Sequence, residues 1–396
     1  MSADLKAAEW TEREGLRALI AALGAENIRW VGGAIRDTLL HTPVADVDCA
    51  TVHLPDVVMQ MCKDAGIRTV PTGIDHGTVT AVLRDGPVEI TTLRRDVSTD
   101  GRRATVAFAQ AWEEDAARRD FTINALYAHP ETLEISDYFG GLDDLAARRV
   151  RFIGDARARI AEDHLRILRY FRFQARFGAE LDQEAEEACA DLAPTLKGLS
   201  RERIAMELLA ILALPNPHPT VARMFARGVL GVILPETCKP HIDALERLIA
   251  AEQDQGIAPD PIRRLAALLP PIAEIAETVA ARLRLSRAQR AHLVCDADRQ
   301  ESDLSHARAL AYLEDLACAI DRVLLQGGDT SPLRDWEVPR LPLKGGQIVA
   351  RGVAAGPDVA RILRAVEAKW IEEGFPGEKR IASLLDAELA GHKGDS

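Results

Sequence analysis

The chain has 396 residues, 47% hydrophobic and 28% charged, which allows several domains with real cores and excludes wholesale disorder. Its 49 basic against 61 acidic residues give a formal charge of −12, so bulk composition points to no polyanion partner and excludes none, because binding depends on where charge sits. Met1–Glu9 carries no signal-peptide pattern and no apolar span is long enough for a membrane helix, so no membrane association is expected. The six cysteines (49, 62, 189, 238, 295 and 318) form no C-x-x-C pair; neither a zinc site nor a disulfide framework is expected, and a cytoplasmic, reducing setting fits.

In chain order, 14–23 reads as a helix, 28–31 as a short strand, and 34–40 as a helix opened by Gly32-Gly33. A strand over 44–51 carries Asp46 and Asp48, and a second amphipathic helix follows over 56–65. Three β-rich stretches, 67–71, 78–83 and 88–93, complete a pattern that predicts a small mixed sheet with one covered face. Residues 94–110 break it and read as a mobile loop or extended arm. Helical character resumes near Glu113 and runs to about Tyr127, with a last strand expected over 133–135. From Asp143 onward strands vanish and Ala, Leu, Arg and Glu dominate, with breaks at Gly178, 215–219, 238–240, 256–261 and 327–342.

The residues that carry chemistry begin at the glycine turn. Gly32-Gly33 leads into Arg36-Asp37, then Asp46-Val47-Asp48. Carboxylates at i and i+2 of a strand point to one face, and Glu89, in a β-branched run, is placed to bring a third acid from a neighbouring strand. An all-oxygen set of this kind suits Mg²⁺, which activates a hydroxyl and bridges a triphosphate. A bare D-x-D is common on solvated strand ends; the turn, the alternating flanks and the third acid give the pattern its weight as a set. The glycines leave room for helix-opening amides to approach a phosphate, with Arg36 adding charge and Asp37 anchoring the turn or bracing an arginine.

A second block, Arg118-Arg119-Asp120-Phe121-Thr122-Ile123-Asn124-Ala125-Leu126, sets two arginines beside an aspartate. They read either as a solvated helix face or as a hold on a triphosphate, with Asp120 or Asn124 at a ribose. A third block spans Glu162-Asp163-His164-Leu165-Arg166 and continues through Arg169, Arg172 and Phe173. Asp163 and Arg166, at i and i+3 of one helix face, are either an ordinary ion pair or a rigid pair matching a base edge, the arginine all donor and the carboxylate all acceptor. Nine arginines (148, 149, 151, 157, 159, 166, 169, 172 and 176) face Asp155, Glu162 and Asp163 over 148–176, which reads as a phosphate-facing groove. Tyr170, Phe171, Phe173 and Phe177 read as core rather than base-stacking platforms. Near the C-terminus Lys344 and Arg351 flank glycine-rich turns and a Gly-Pro helix start, either a phosphate site or a plain cap.

In this order the three blocks resemble the class II tRNA nucleotidyltransferases, the family of CCA-adding enzymes and bacterial poly(A) polymerases in the polymerase-β-like superfamily. The resemblance is specific over about 28–215 and looser to about 375. It implies an α/β nucleotidyltransferase head with a small mixed sheet (1–140), then an all-helical neck with a nucleotide-selecting helix (141–215), a helical body (216–330) and a tRNA-binding tail (331–396). It implies that Asp46 and Asp48 bind two Mg²⁺ ions, with Glu89 the third catalytic acid. Gly32, Gly33, Arg36, Arg119, Asp120, Asn124 and Arg169 would surround the nucleotide. Asp163 and Arg166 would pair with the base of CTP or ATP while Glu162 orients the arginine. Asp100–Arg103 resembles the flexible loop of enzymes that add the terminal adenosine, and puts Arg102 and Arg103 among RNA-binding residues with Arg172, Arg176, Lys344 and Arg351. Residues 200–207 resemble the neck motif that supports the selecting helix. His164, where the family often has a small residue, is expected to face away from the pocket. The implied partner is tRNA, with no obligate protein partner, and the implied reaction is untemplated addition to its 3′ end. A-only, poly(A) and CC-only addition are the alternatives within the family.

Overall fold

The computed structural model describes residues 5–99, 104–178 and 180–394. The chain forms two compact units, Met1–Pro235 and Glu236–Ser396. In the first, β1 (Ile28–Val31), β2 (Val47–Thr51), β3 (Arg68–Gly73), β4 (Thr78–Leu83) and β5 (Gly86–Thr92) precede a separate hairpin of β6 (Arg94–Thr99) and β7 (Ala104–Phe108). With β8 (Leu126–Ala128) and β9 (Ile135–Asp137) they make a seven-stranded sheet of order β3-β4-β5-β2-β1-β8-β9. Only β2 and β5 are parallel neighbours.

The period of two decides what each face carries. Ile28, Trp30, Val47, Cys49, Val88 and Ile90 share one buried face, in register across β1, β2 and β5. Helices Glu14–Leu23 and Pro55–Asp64 bury Leu16, Leu19, Leu23, Val58 and Cys62. The opposite face carries Val31, Ala50 and Tyr127, part of a second cluster with Ala116, Ala125 and Ile153. The acids expected on β2 and β5 belong to this opposite face.

Several expected elements differ. The helix anticipated over 113–127 ends at Ala117; the chain then extends at Phe121, makes a short turn and enters β8. Every residue from Phe121 to Ala128 is buried, and a fully buried run has no periodicity from which to tell helix from strand. The strand expected at 133–135 starts at Ile135, because Leu133 turns back with φ 57°. The strand expected from Val44 starts at Val47, so Asp46 precedes it. The expected loop or arm is the β6–β7 hairpin; Arg102 and Arg103 lie outside the described residues.

After Asp137 the described residues form helices, turns and isolated bridges but no further strand. In the first unit, helices Arg166–Phe177 and Arg201–Leu212 pack together. In the second unit, Leu343, Ile348, Ile362, Val366, Trp370, Leu384 and Leu385 form one core and Ala311, Ala319 and Val323 belong to another. Contrary to the expectation of no disulfide, Cys295 and Cys318 are joined, their Cα atoms 6.1 Å apart. They sit on helices Arg287–Ala297 and Leu316–Leu325, which pack together; 23 residues of separation hide such a pair from a search for local motifs.

Candidate active site

One rung of the sheet lays out the centre of the site. Asp48 pairs in register with Glu89 on one side and Val31 on the other, and Val31 pairs in turn with Tyr127. In-register neighbours point to the same face, so Glu89, Asp48 and Tyr127 project together, the two acids one strand separation of about 4.8 Å apart and Tyr127 two strands from Asp48, across Val31. Glu89 and Asp46 are exposed and Asp48 is half-buried. Burial pushes the Asp48 carboxyl above its ordinary range; Glu89 and Asp46 add to this and Arg119 and Arg36 oppose it. Three acids and two guanidiniums therefore share one field, and the exposed oxygens are hard donors of the kind magnesium takes.

Arg119 is aimed at this rung by two residues that sequence reasoning missed. Its Nε donates to the Tyr127 hydroxyl (3.0 Å), its Nη2 to Asp115 Oδ2 (3.3 Å), and its guanidinium lies 5.3 Å from the Tyr127 ring centroid. The Tyr127 hydroxyl donates to the same Asp115 oxygen (2.6 Å), and Arg118 holds the other. Burial alone would raise the Asp115 carboxyl; Arg119, Arg118 and Tyr127 outweigh it and hold it low. At Gly32, with φ 70°, a Cβ would stand in ordinary contact with Arg119 Nη1 and the Asn124 carbonyl (3.5 Å each), so it is the left-handed backbone that favours glycine here. The only sequence clue was the acid four residues before Arg119, indistinguishable from a surface helix pair.

The remaining residues of the first two blocks form a bracket. Arg36 donates to Asp37 Oδ1 (2.8 Å) and Asn124 Oδ1 (2.5 Å), and lies 5.1 and 4.7 Å from the Phe173 and Phe177 rings. Asn124 donates to Asp120 Oδ1 (2.9 Å), while Asp120 Oδ2 accepts from Arg169 (2.7 Å). Burial opposes the Asp120 charge, but Arg169 and the Asn124 hydrogen bond win and lower its pKa to about 2. Asp37 braces Arg36 and, through Oδ2, Arg176 (3.2 Å). Arg36, Asp120 and Asn124 are all nearly buried, each engaged with protein partners.

Asp163 and Arg166 are not on one helix face as expected. Helix Ala156–Glu162 ends before Asp163, which is extended (φ −148°, ψ 105°), and a new helix begins at Arg166. The break gives each its own support. Arg203 donates to Asp163 Oδ2 (2.7 Å), whereas Arg166 donates to Glu162 (2.6 Å) and to the carbonyls of Arg159 (2.9 Å) and Arg118 (2.8 Å). Glu162 thus orients Arg166, and Arg203 from 200–207 braces the turn.

The arginine-rich stretch is less cationic in space than in sequence. Arg149 and Arg151 pair with Asp144, Arg157 with Asp191, Arg159 with Glu162, Arg172 with Glu207 and Arg176 with Asp37. Most of those acids lie outside the counted window, so a local tally cannot see them. Tyr170, Phe171, Phe173 and Phe177 are core, as expected. Lys344 is exposed ahead of helix Gly345–Val349, Arg351 pairs with Asp386 (2.6 Å), and helix Pro357–Glu372 starts at its proline as anticipated. The second unit also holds a set of candidate metal ligands, Asp260, His292 and Asp321, that the sequence reading missed because they come from distant segments.

A mixed sheet with acids on one rung, an arginine aimed at them and helices behind defines a nucleotidyltransferase head. A family described as the poly A polymerase head domain matches residues 28–151, and one described as a probable RNA and SrmB-binding site of polymerase A matches 178–239. The mouse protein named CCA tRNA nucleotidyltransferase 1, mitochondrial, is 34% identical over 92% of this chain and 88% of its own. The CCA-adding enzyme of Streptococcus pneumoniae strain G54 is 35% identical over 85% and 87%. Among solved structures, the Bacillus stearothermophilus CCA-adding enzyme in complex with CTP matches with a TM-score of 0.76 and 26% identity, over 96% of this chain and all of that one. The chain belongs to the class II family of CCA-adding enzymes and poly(A)-polymerase-type nucleotidyltransferases.

Proposed function

We propose that the protein adds CCA to the 3′ end of tRNA from CTP and ATP, without a nucleic-acid template. The observation that carries this is the Asp48–Glu89 rung with Arg119 aimed at it, within one compact unit that also holds Asp163 and Arg166. The names of the relatives support the same reading.

Asp46 and Asp48, with Glu89 beside them, would hold two magnesium ions; the oxygen-only donor set and the mutual repulsion felt at Asp48 fit such a group. When bound, the ions would lower the pKa of the attacking hydroxyl and neutralise the departing pyrophosphate. The tRNA 3′-oxygen bonds to the α-phosphorus, the bridge to the β-phosphate breaks, and the hydroxyl proton is released. Arg119, held by Asp115 and Tyr127, steadies the triphosphate over the acids. Asp163 and Arg166 present acceptor and donor edges to the base from separate mounts, which lets one site take either C or A as the primer end changes. Arg36, Asp120 and Asn124, buried and mutually bonded, support this surface and are better placed to brace the nucleotide contacts than to make them.

The deciding experiment gives the protein tRNA ending at the discriminator base, with CTP, ATP or both, and sequences the products. Expected are two C from CTP alone, CCA from both and little from ATP alone. An A-tract from ATP alone would replace this reading with poly(A) addition, and a stop at CC with both nucleotides would replace it with CC addition.

A further inference from the structure

Three segments of the second unit converge on a point unrelated to the acids of the head. Asp260 caps helix Pro261–Ala267, its Oδ1 accepting from the amides of Ile262 (2.7 Å) and Arg263 (2.9 Å). His292 stands on helix Arg287–Ala297 and Asp321 on helix Leu316–Leu325, with Nε2 2.7 Å from Asp321 Oδ2. One ligand atom from each of Asp260, His292 and Asp321 lies within 4.8 Å of the others.

A fourth residue supplies an independent indication of a ligand. Asp296, one turn after His292, is fully buried, and neither of its carboxylate oxygens has a hydrogen-bond partner. Its Oδ2 points into the cluster, 3.5 Å from His292 Nε2. A buried carboxyl group left without a hydrogen-bond partner is a costly arrangement for a core. The guanidinium bonded to these acids, Arg263, reaches Asp321 Oδ1 (2.7 Å) and is shared with Glu252. Three aspartates thus gather about one imidazole and a guanidinium shared with Glu252, an acid-rich cluster whose oxygens a divalent cation could take.

We propose that Asp260, His292 and Asp321, with the buried Asp296 carboxyl against His292, bind a divalent transition-metal ion that fixes three segments of the helical unit. One imidazole among carboxylates selects borderline ions such as zinc, cobalt or nickel over the all-oxygen preference of magnesium. The Cys295–Cys318 link joins the same two helices, beside Asp296 and one turn before Asp321, and holds their ligands at a set spacing. The competing occupant of this space is a proton on His292, which would make the cluster an aspartate–histidinium–aspartate triad.

The test uses the full chain carrying Asp48→Asn, to remove the head site, after treatment with a chelator. Titration with Co²⁺, followed by visible absorption, should give one bound ion per chain, and Zn²⁺ should displace it and raise the thermal midpoint. His292→Gln should weaken cobalt binding by at least about tenfold. Asp260→Ser keeps a helix-capping side chain while removing a ligand, so it isolates binding from folding and should do the same. Failure of the Asp48→Asn chain to bind one equivalent, or binding unchanged in both ligand variants, overturns the proposal in favour of the protonated triad.

Discussion

At the scale of single residues, Asp48 combines two demands that conflict without a cation. It is half-buried and shares its field with Glu89 and Asp46. Asp48→Asn should therefore lower incorporation by roughly a hundredfold or more, since a lost metal ligand removes several kcal/mol of transition-state stabilisation. The same change relieves repulsion, so the thermal midpoint should hold or rise; a falling midpoint together with retained turnover would refute the assignment. Asp120 makes the opposite case. Its pKa is depressed to about 2 in the folded chain, below the unfolded value, so its stabilisation is complete above pH about 4 and is lost as pH falls towards about 2. The urea midpoint of Asp120→Asn should lie well below that of the parent at pH 7, and the gap should narrow near pH 2.5, roughly midway through that window. A gap independent of pH would mean that Asp120 is not charged in the fold.

At the scale of elements, the helix Arg166–Phe177 is the piece on which the site is assembled. Arg166 ties it to Glu162, Arg169 to Asp120, Arg172 to Glu207 and Arg176 to Asp37, so one helix grips acids from four segments. Arg166→Ala should change the ratio of CTP to ATP incorporation more than it changes tRNA affinity, read from competition assays and a binding isotherm; a pure affinity loss would place Arg166 against the RNA backbone instead. Much of this element was legible. The helix and its aromatic core stripe follow from spacing, because a strongly amphipathic helix keeps its period wherever it packs, whereas the orienting role of Glu162 was implied only by the family resemblance. The break at Asp163 was not legible, since helix propensity carries straight through it and the turn is held by the Leu165 amide on Asp163 Oδ1 together with Arg203, forty residues on. The 113–127 region was misread for the complementary reason: every residue from 121 is buried, and uniform burial erases periodicity. Tyr127 then became a site residue through strand register, which no local pattern displays, and Asp115 joined it through the hydrogen bonds of Tyr127 and Arg119.

At the scale of the whole molecule, charge distribution rather than charge sum governs what the chain meets. The stretch 148–176 looked like a cationic groove because nine arginines face three acids in sequence. In the fold, partners arrive from Asp37, Asp120, Asp144, Asp191 and Glu207. Nine free arginines on phosphates would give a slope of log affinity against log salt of about −6 to −8. With these pairs formed, tRNA binding should show a slope shallower than about −4, measured by filter binding across a salt series. A steep slope would mean that the pairs open on binding. The division at Pro235 adds a second point, since it falls inside the stretch 216–330 expected to be one helical body. Helices alone carry little information on which neighbours they choose, so composition marked the helical region but not its seams.

The pairing of Asp48 with Glu89 also constrains the gene. A strand presents its side chains by parity, so adding or deleting one codon between Gly86 and Glu89 would offer a hydrophobic neighbour to Asp48 and turn the acid towards the apolar face. Drift in length is closed to that seven-residue strand however mild the amino acids exchanged. Substitution there is a question of chemistry; insertion is a question of counting, and a single odd step would silence the enzyme with every catalytic residue still encoded.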